Sequence, residues 1–223
     1  MEASELITLL TKGTGETLYM TLVSTAIAYV IGIPLGVLVY TTASGGIMPN
    51  RPVNFIAGAV INIIRSVPFL ILLVAILPFT RLVAGTTIGS TATIVPLVVA
   101  SAPYIARMVE SSLREVSGGV IEAAKAMGAS PMQIITKVLL PEARPSLLTG
   151  GVISLATILG YSAMAGFVGG GGLGAIATNY GYYRYQTDVM IITVIILVLI
   201  VQIFQEVGIR IADKADKRLK RSR

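Results

Sequence analysis

Few residues in this 223-residue sequence have chemical capability, and most reaction classes fall with what is missing. There is no His and no Cys. Zinc sites, haem ligation, Cys nucleophiles and Ser-His-Asp triads each need one or the other. No paired carboxylates and no nucleophile–base set stand out, so the sequence offers no catalytic residue, no metal ligands and no cofactor site. One stretch imitates a cofactor motif: Gly169-x-Gly171-x-x-Gly174 has dinucleotide-fingerprint spacing. It follows an apolar helical run and not a strand, so it fails that motif's structural context. No Lys-Ser/Thr follows Gly174, so it is not a phosphate loop either. The polar features left to explain are Arg65 inside an apolar run, the segment from Arg107 to Arg144, and a basic tail from Arg210.

The elements that must hold these residues are membrane helices. Hydrophobic residues make up 54% of the chain and charged residues 13%, against about 25% charged in an ordinary soluble domain. Mean hydropathy is +0.83. Thr17–Asn50, Leu82–Ala106, Pro145–Tyr183 and Val189–Gln205 carry no charge, and only Arg65 interrupts 52–80. A spanning helix needs about 20 mostly apolar residues. The sequence therefore predicts an all-α membrane protein, a single transmembrane domain over 1–223 with five spans at about 17–40, 54–80, 88–112, 146–166 and 187–209. The first run is too long for a signal peptide and lacks a basic region before it.

Charge placement orients the bundle. With the tail inside, Arg51, the basic residues of 107–144 and the seven of the tail are cytoplasmic, while Lys12, Arg81 and Arg184 lie outside. That asymmetry obeys the positive-inside rule and puts the N-terminus outside and the C-terminus inside. The net charge of +6 is thus a topology signal with some affinity for anionic membrane lipid, and not a nucleic-acid footprint. Asp213–Lys217 and Asp216–Lys220 are spaced as i,i+4 pairs on a helix leaving the membrane.

The inner segment is built for contact. Arg107–Glu110 and Glu110–Arg114 are i,i+3 and i,i+4 pairs that let the third span run on into water. Ser117-Gly118-Gly119 is expected to break it, and a short helix follows at about Val120–Met127 with Gly128 in the left-handed cap position. Ser130-Pro131-Met132-Gln133 reads as a capping box opening a second short helix. That helix is expected to end near Leu139 at Pro141, with Ile134, Ile135, Val138 and Leu139 packed on the bundle. The small side chains of the first helix suit entry into another protein's groove; a plain solvated connection is the alternative reading.

Glu122-Ala123-Ala124, three residues, Gly128, nine residues, then Val138-Leu139-Leu140-Pro141 resembles the EAA loop of ABC-importer permeases, with Val138 in place of the usual Ile. The resemblance implies that the loop at about 117–141 holds a coupling helix. Glu122, Ala123, Ala124, Gly128 and Pro141 would then couple the chain to an ATP-binding ABC subunit, which does the ATP hydrolysis. A wider resemblance rests on Glu16-Thr17-Leu18-Tyr19-Met20-Thr21, Gly32-Ile33-Pro34-Leu35-Gly36, Arg65-Ser66-Val67-Pro68-Phe69, Gly169–Gly174 and Tyr180-Gly181-Tyr182-Tyr183-Arg184, in that order. Together they look like the permeases of D/L-methionine ABC importers, although Tyr183 stands where that family commonly has Gln. The resemblance implies a non-catalytic subunit in the bacterial inner membrane. It implies a homodimer with two ATPase copies and an external methionine-binding lipoprotein.

Arg65 is the one charge well inside an expected span, since Arg107, Glu110, Asp188 and Glu206 lie within five residues of span ends, and such a charge either faces a water-filled path or snorkels to the surface. Asn62, Arg65 and Ser66 are the expected path residues. In the resembling family the end of the fourth span closes the outer gate, which implicates Ser162 and Met164. The Tyr cluster at 180–185 is explained by interfacial anchoring, with lipoprotein docking as the alternative. A permease for another small solute, such as an osmolyte or phosphonate, is the alternative within the class. An ion-coupled secondary transporter is the alternative outside it. Against the latter, no acidic residue lies mid-span and no inverted repeat is evident.

Overall fold

A computed structural model describes residues 3–215, and every regular element among them is helical. The chain forms two compact units, each assembled from separated stretches. The first takes in Met1–Ala28, Val67–Ser101 and Ser154–Gln205; the second takes in Tyr29–Ser66, Ala102–Ile153 and Glu206–Arg223.

Helix α1 (Ala3–Thr42) begins fourteen residues before the expected span, because Glu5, Lys12 and Glu16 interrupt the apolar run without interrupting helical geometry. Pro34 lies inside it; the ring removes one donor, yet the helix continues. The expected span at 54–80 is not one helix. It is α2 (Arg51–Ser66), α3 (Phe69–Ala75) and α4 (Leu77–Ala84). Pro68 has no N–H to donate and disfavours helical backbone at Val67, so it takes φ −56, ψ 137 and caps α3 instead of extending α2. Pro78 then opens α4, and Gly85 closes it in the left-handed conformation.

Helix α5 (Ser90–Arg114) matches the third expected span within two residues. Helix α6 (Gly118–Ala126) is the expected short helix, and here Gly118-Gly119 start it instead of separating it from α5; Ser117 is its N-cap. Helix α7 (Pro131–Ile134) opens on the expected capping box, with Ser130 N–H donating to Gln133 Oε1 at 2.8 Å and Gln133 N–H to Ser130 Oγ at 3.4 Å. Pro141 does not end the helix. A wide π turn over Ile135–Leu139 carries the chain into α8 (Leu140–Ala165), and Leu140 N–H reaches back to the Ile135 carbonyl. Widening the turn places Pro141 in the first turn of the next helix, where a missing donor is tolerated. The continuous stretch Pro131–Val168 is long and apolar enough to span a membrane, as are Ser4–Thr42, Ser90–Arg114 and Thr187–Lys214. The last belongs to α10 (Thr187–Ala215), reached through α9 (Gly172–Ile176) and a π segment, Ala177–Tyr182. Lys217, Arg218, Lys220, Arg221 and Arg223 lie outside the described residues, as do the expected tail pairs they and Asp216 would complete.

In the first unit Met20, Phe69, Leu73, Leu97, Ile158 and Ala165 form one buried cluster, with the Phe69 ring stacked on Tyr161 at 4.5 Å. A second joins Leu159, Leu173, Ile176, Val189 and Ile200. The second unit centres on Val39, Ile61 and Ala106. There α1 meets α5 closely because Gly36 has no side chain: a Cβ would stand 2.6 Å from Val109 Cβ. Small residues permit this approach where lipid tails supply no hydrophobic drive.

Candidate functional site

The loop at 117–141 presents α6 to the surface. Val120, Ala123 and Met127 fall on one helical face, and all three are exposed, Met127 at 82%. Glu122 is exposed beside them. Ala124 differs from its neighbours in the motif: it is buried against its own unit and seats the helix. Gly128 has φ +77, the left-handed conformation that glycine takes without cost. The bonds around it make a Schellman cap, with Ala129 N–H to the Ala124 carbonyl at 3.0 Å and Gly128 N–H to the Lys125 carbonyl at 3.0 Å. This cap turns the chain directly into the Ser130 capping box. Of the expected stripe, Ile134, Ile135 and Leu139 are buried and Val138 is half-buried.

Behind the loop lies a charge network that the sequence shows only in part. Glu110 is 6% exposed and both carboxylate oxygens are engaged: Oε2 accepts from Arg107 Nη1, and Oε1 accepts from Arg114 Nη2 at 2.7 Å. These are the two helical pairs expected. The unexpected part is that Arg107 also reaches α2, donating to Asn62 Oδ1 at 2.8 Å and to the Gly58 carbonyl at 3.3 Å. Asn62 is therefore bound to α5, and Arg65 one turn on is exposed and makes no ion pair among the described residues. Ser66 is exposed and donates to the Asn62 carbonyl at 2.8 Å.

In the first unit, Ser162 is buried and its hydroxyl donates to the Leu159 carbonyl at 2.8 Å, a bond within its own helix. Met164 is 45% exposed. The glycine-rich stretch after it is an irregular turn with positive φ at Gly169, Gly171 and Gly172. It is held by neighbours on two sides. Gly89 N–H donates to the Gly169 carbonyl at 2.9 Å, and Thr93 Oγ1 to the Gly170 carbonyl at 3.3 Å. From α1, Glu16 Oε2 accepts from Gly172 N–H at 2.8 Å and Thr17 Oγ1 accepts from Leu173 N–H at 2.9 Å. The bonds from Glu16 and Thr17 satisfy the first two of the orphan donors that open α9. Further along, Arg184 lies over the Tyr180 ring at 4.5 Å, and Tyr182, Tyr183 and Tyr185 are exposed. Tyr180 and Arg184 share a groove of about 740 Å³ with Glu5, Lys12 and Gln186. Among the described residues no cluster of three or more acidic side chains is placed to hold a metal.

A set of helices long and apolar enough to cross a membrane, joined by a capped exposed helix and an irregular glycine turn, is the architecture of a polytopic membrane subunit. Over residues 32–221 the chain matches the family described as binding-protein-dependent transport system inner membrane component, and it belongs to that family. It is a multi-pass inner-membrane protein. It is 51% identical over 210 residues to the probable D-methionine transport system permease protein MetI of Vibrio cholerae serotype O1, covering 94% of this chain and 93% of that one. It is 55% identical over 158 residues to the D-methionine transport system permease protein MetI of Escherichia coli strain K12, covering 71% and 73%. A solved chain of the MetNI methionine ABC transporter in inward-facing conformations superposes with TM-score 0.95 at 50% identity, covering 97% of this chain and 100% of that chain. A chain of an amino acid ABC transporter with histidines shares the fold at TM-score 0.78 and 21% identity.

Proposed function

We propose that this chain is the permease subunit of an ATP-driven importer that gives methionine, both D and L, an alternating-access path across the inner membrane. Two copies form the path on their two-fold axis, because one subunit is small for enclosing a solute. Each copy crosses the membrane five times, counting the broken α2–α3 pair once, with its N-terminus outside. Two ATP-binding subunits dock on the inner face and do the hydrolysis. An external methionine-binding lipoprotein delivers substrate to the outer face, where the Tyr182–Tyr185 surface and the Lys12/Arg184 groove offer mixed apolar and charged contact.

The observation that carries the reading is the near full-length likeness to D-methionine permeases, and an exposed short helix bearing the EAA motif supports it. Glu122 and Ala123 lie on the outward side, Ala124 seats the helix, Gly128 caps it, and Pro141 stands where the π turn hands over to α8. Closure of the ATP-binding subunits pulls on α6 and reorients the long helices. Arg65, with Asn62 and Ser66 beside it, faces the path, and Ser162 and Met164 stand at the outer gate.

The test is labelled methionine uptake in cells lacking their own methionine importers, with this chain expressed beside its co-encoded ATPase and binding protein. Uptake that requires ATP and vanishes in Gly128→Asp is expected. An intact ATPase complex with no methionine uptake overturns the substrate; no complex at all overturns the permease role.

A further inference from the structure

We infer that Glu16 and Thr17 are positioning residues of the outer gate, acting on Met164 through the glycine-rich turn; this rests on reading Met164 as a gate residue. The two sequence motifs involved, Glu16–Thr21 and Gly169–Gly174, are separate in the chain and are one device in the fold. Glu16 and Thr17 hold the first two N–H groups of α9, at Gly172 and Leu173, across a separation of 156 residues. Gly172 fits beneath them only without a side chain, since a Cβ would stand 2.6 Å from Thr17 Oγ1 and 2.9 Å from Met20 Cε. The other side of α9 presses on the end of α8. A Cβ on Gly174 would collide with the Ala163 backbone, and one on Gly166 with the backbone of Gly174 and Ala175. Ala163 and Gly166 flank Met164. A continuous line of contacts therefore runs from the Glu16 carboxylate to the α9 backbone and on to the residues either side of Met164.

Every link after the carboxylate is backbone against backbone, with no flexible side chain to absorb a displacement. A shift of α9 by a fraction of an ångström must move Ala163–Gly166 as well. The carboxylate is a charged acceptor at the positive end of a helical turn, which makes it the strongest point of the clasp. Thr17, fully buried, supplies the second bond and fixes the rotation of α9 about the first.

The chain contains no Cys, so a Met164→Cys substitution introduces a unique thiol. In the complete complex with ATPase and binding protein, reconstituted in nanodiscs, a bifunctional thiol reagent then reports the distance across the permease dimer in each nucleotide state. State-dependent cross-linking is expected, and Glu16→Ala is expected to shift the closed-to-open ratio by about tenfold, the size of losing a hydrogen bond to a charged group. Glu16→Gln, which keeps an acceptor oxygen, restores most of that shift. Thr17→Val follows Glu16→Ala and Thr17→Ser follows the parent, which gives the same comparison if Glu16→Ala is not recovered as a complex. A thiol at 164 that cross-links in no state overturns the gate reading and the positioning role with it. State-dependent cross-linking that is identical in all four variants, at equal recovery of complex, overturns the positioning role alone.

Discussion

Glu110 in the second unit and Glu16 in the first both sit on long helices and both fix another segment, yet the bonds they make are of different kinds. Glu110 is buried and engages two guanidinium groups on its own helix, one of which goes on to bind the side chain of Asn62 on α2. Glu16 is partly buried and engages a backbone N–H in a glycine turn. A network of side chains depends on charge identity and tolerates backbone adjustment. A clasp on glycine backbone is sensitive to volume as well, because a Cβ on Gly172 would stand 2.6 Å from Thr17 Oγ1 and 2.9 Å from Met20 Cε. The Glu110 network should therefore fail to removal of a charge, and the turn held by Glu16 to addition of a methyl group.

The largest effect is expected for Glu110→Ala. It leaves Arg107 without its ion-pair partner in partly buried surroundings, and removing one member of a buried pair costs about 3 to 5 kcal/mol. The value should lie near about 3 kcal/mol, because the Arg107 and Arg114 side chains are 25% and 60% exposed and solvent takes up part of the loss. Unfolding of the purified chain by denaturant titration in mixed micelles measures this. A double variant, Arg107→Met with Glu110→Leu, removes both buried charges and should recover most of the loss. If the double variant is no better than Glu110→Ala, the network is held by shape and not by charge, and the contrast with Glu16 disappears.

Next in size come two glycines with nearly the same backbone. Gly172 has φ +70 and Gly128 has φ +77. Alanine at either incurs left-handed strain of about 1 to 2 kcal/mol. Only at Gly172 does the new methyl also meet Thr17 and Met20; around Gly128 nothing lies within 4 Å. The same titration should show Gly172→Ala losing about 1 kcal/mol or more beyond Gly128→Ala, the cost of overpacking. Equal losses would mean that the turn relaxes as freely as the cap of α6 does, against the rigidity argued for the first unit.

What was legible in the sequence follows the range of the interactions involved. The cap of α6 reads directly because a Schellman glycine and a capping box are local: Gly128, Ser130 and Gln133 lie within six residues. The pairs of Glu110 read for the same reason. The cores of the long helices read from their uncharged runs. Three features did not. Pro68 marks a weak point in the helix just beyond Arg65, but hydropathy hides that the chain breaks there, since 54–80 is apolar on both sides of it. Pro141 looks like a stop, and the π turn that carries the helix past it depends on where Ile135 and Leu139 are buried. The bonds from Arg107 to Asn62 and from Glu16 to Gly172 join residues 45 and 156 apart, and no periodicity encodes a partner at such distances.

The smallest effect on stability is expected for Arg65→Ala, and it decides what lies beside the Glu110 network. Arg65 is exposed and unpaired among the described residues, so its loss should change the unfolding free energy by less than about 0.5 kcal/mol. A charge in an otherwise apolar run that stabilises nothing is retained either for the solute path or for the headgroup surface. The two roles separate under conservative replacement. Arg65→Lys keeps the positive charge and the long apolar stem, which is all that snorkelling needs, but it loses the planar fork that binds a carboxylate in two places. Methionine uptake that falls in both Arg65→Ala and Arg65→Lys, at normal complex levels, places Arg65 on the path. Uptake retained in Arg65→Lys and lost in Arg65→Ala restricts its role to charge. Uptake retained in both removes Arg65 from the path and leaves Asn62, held by Arg107, as a structural residue of the second unit.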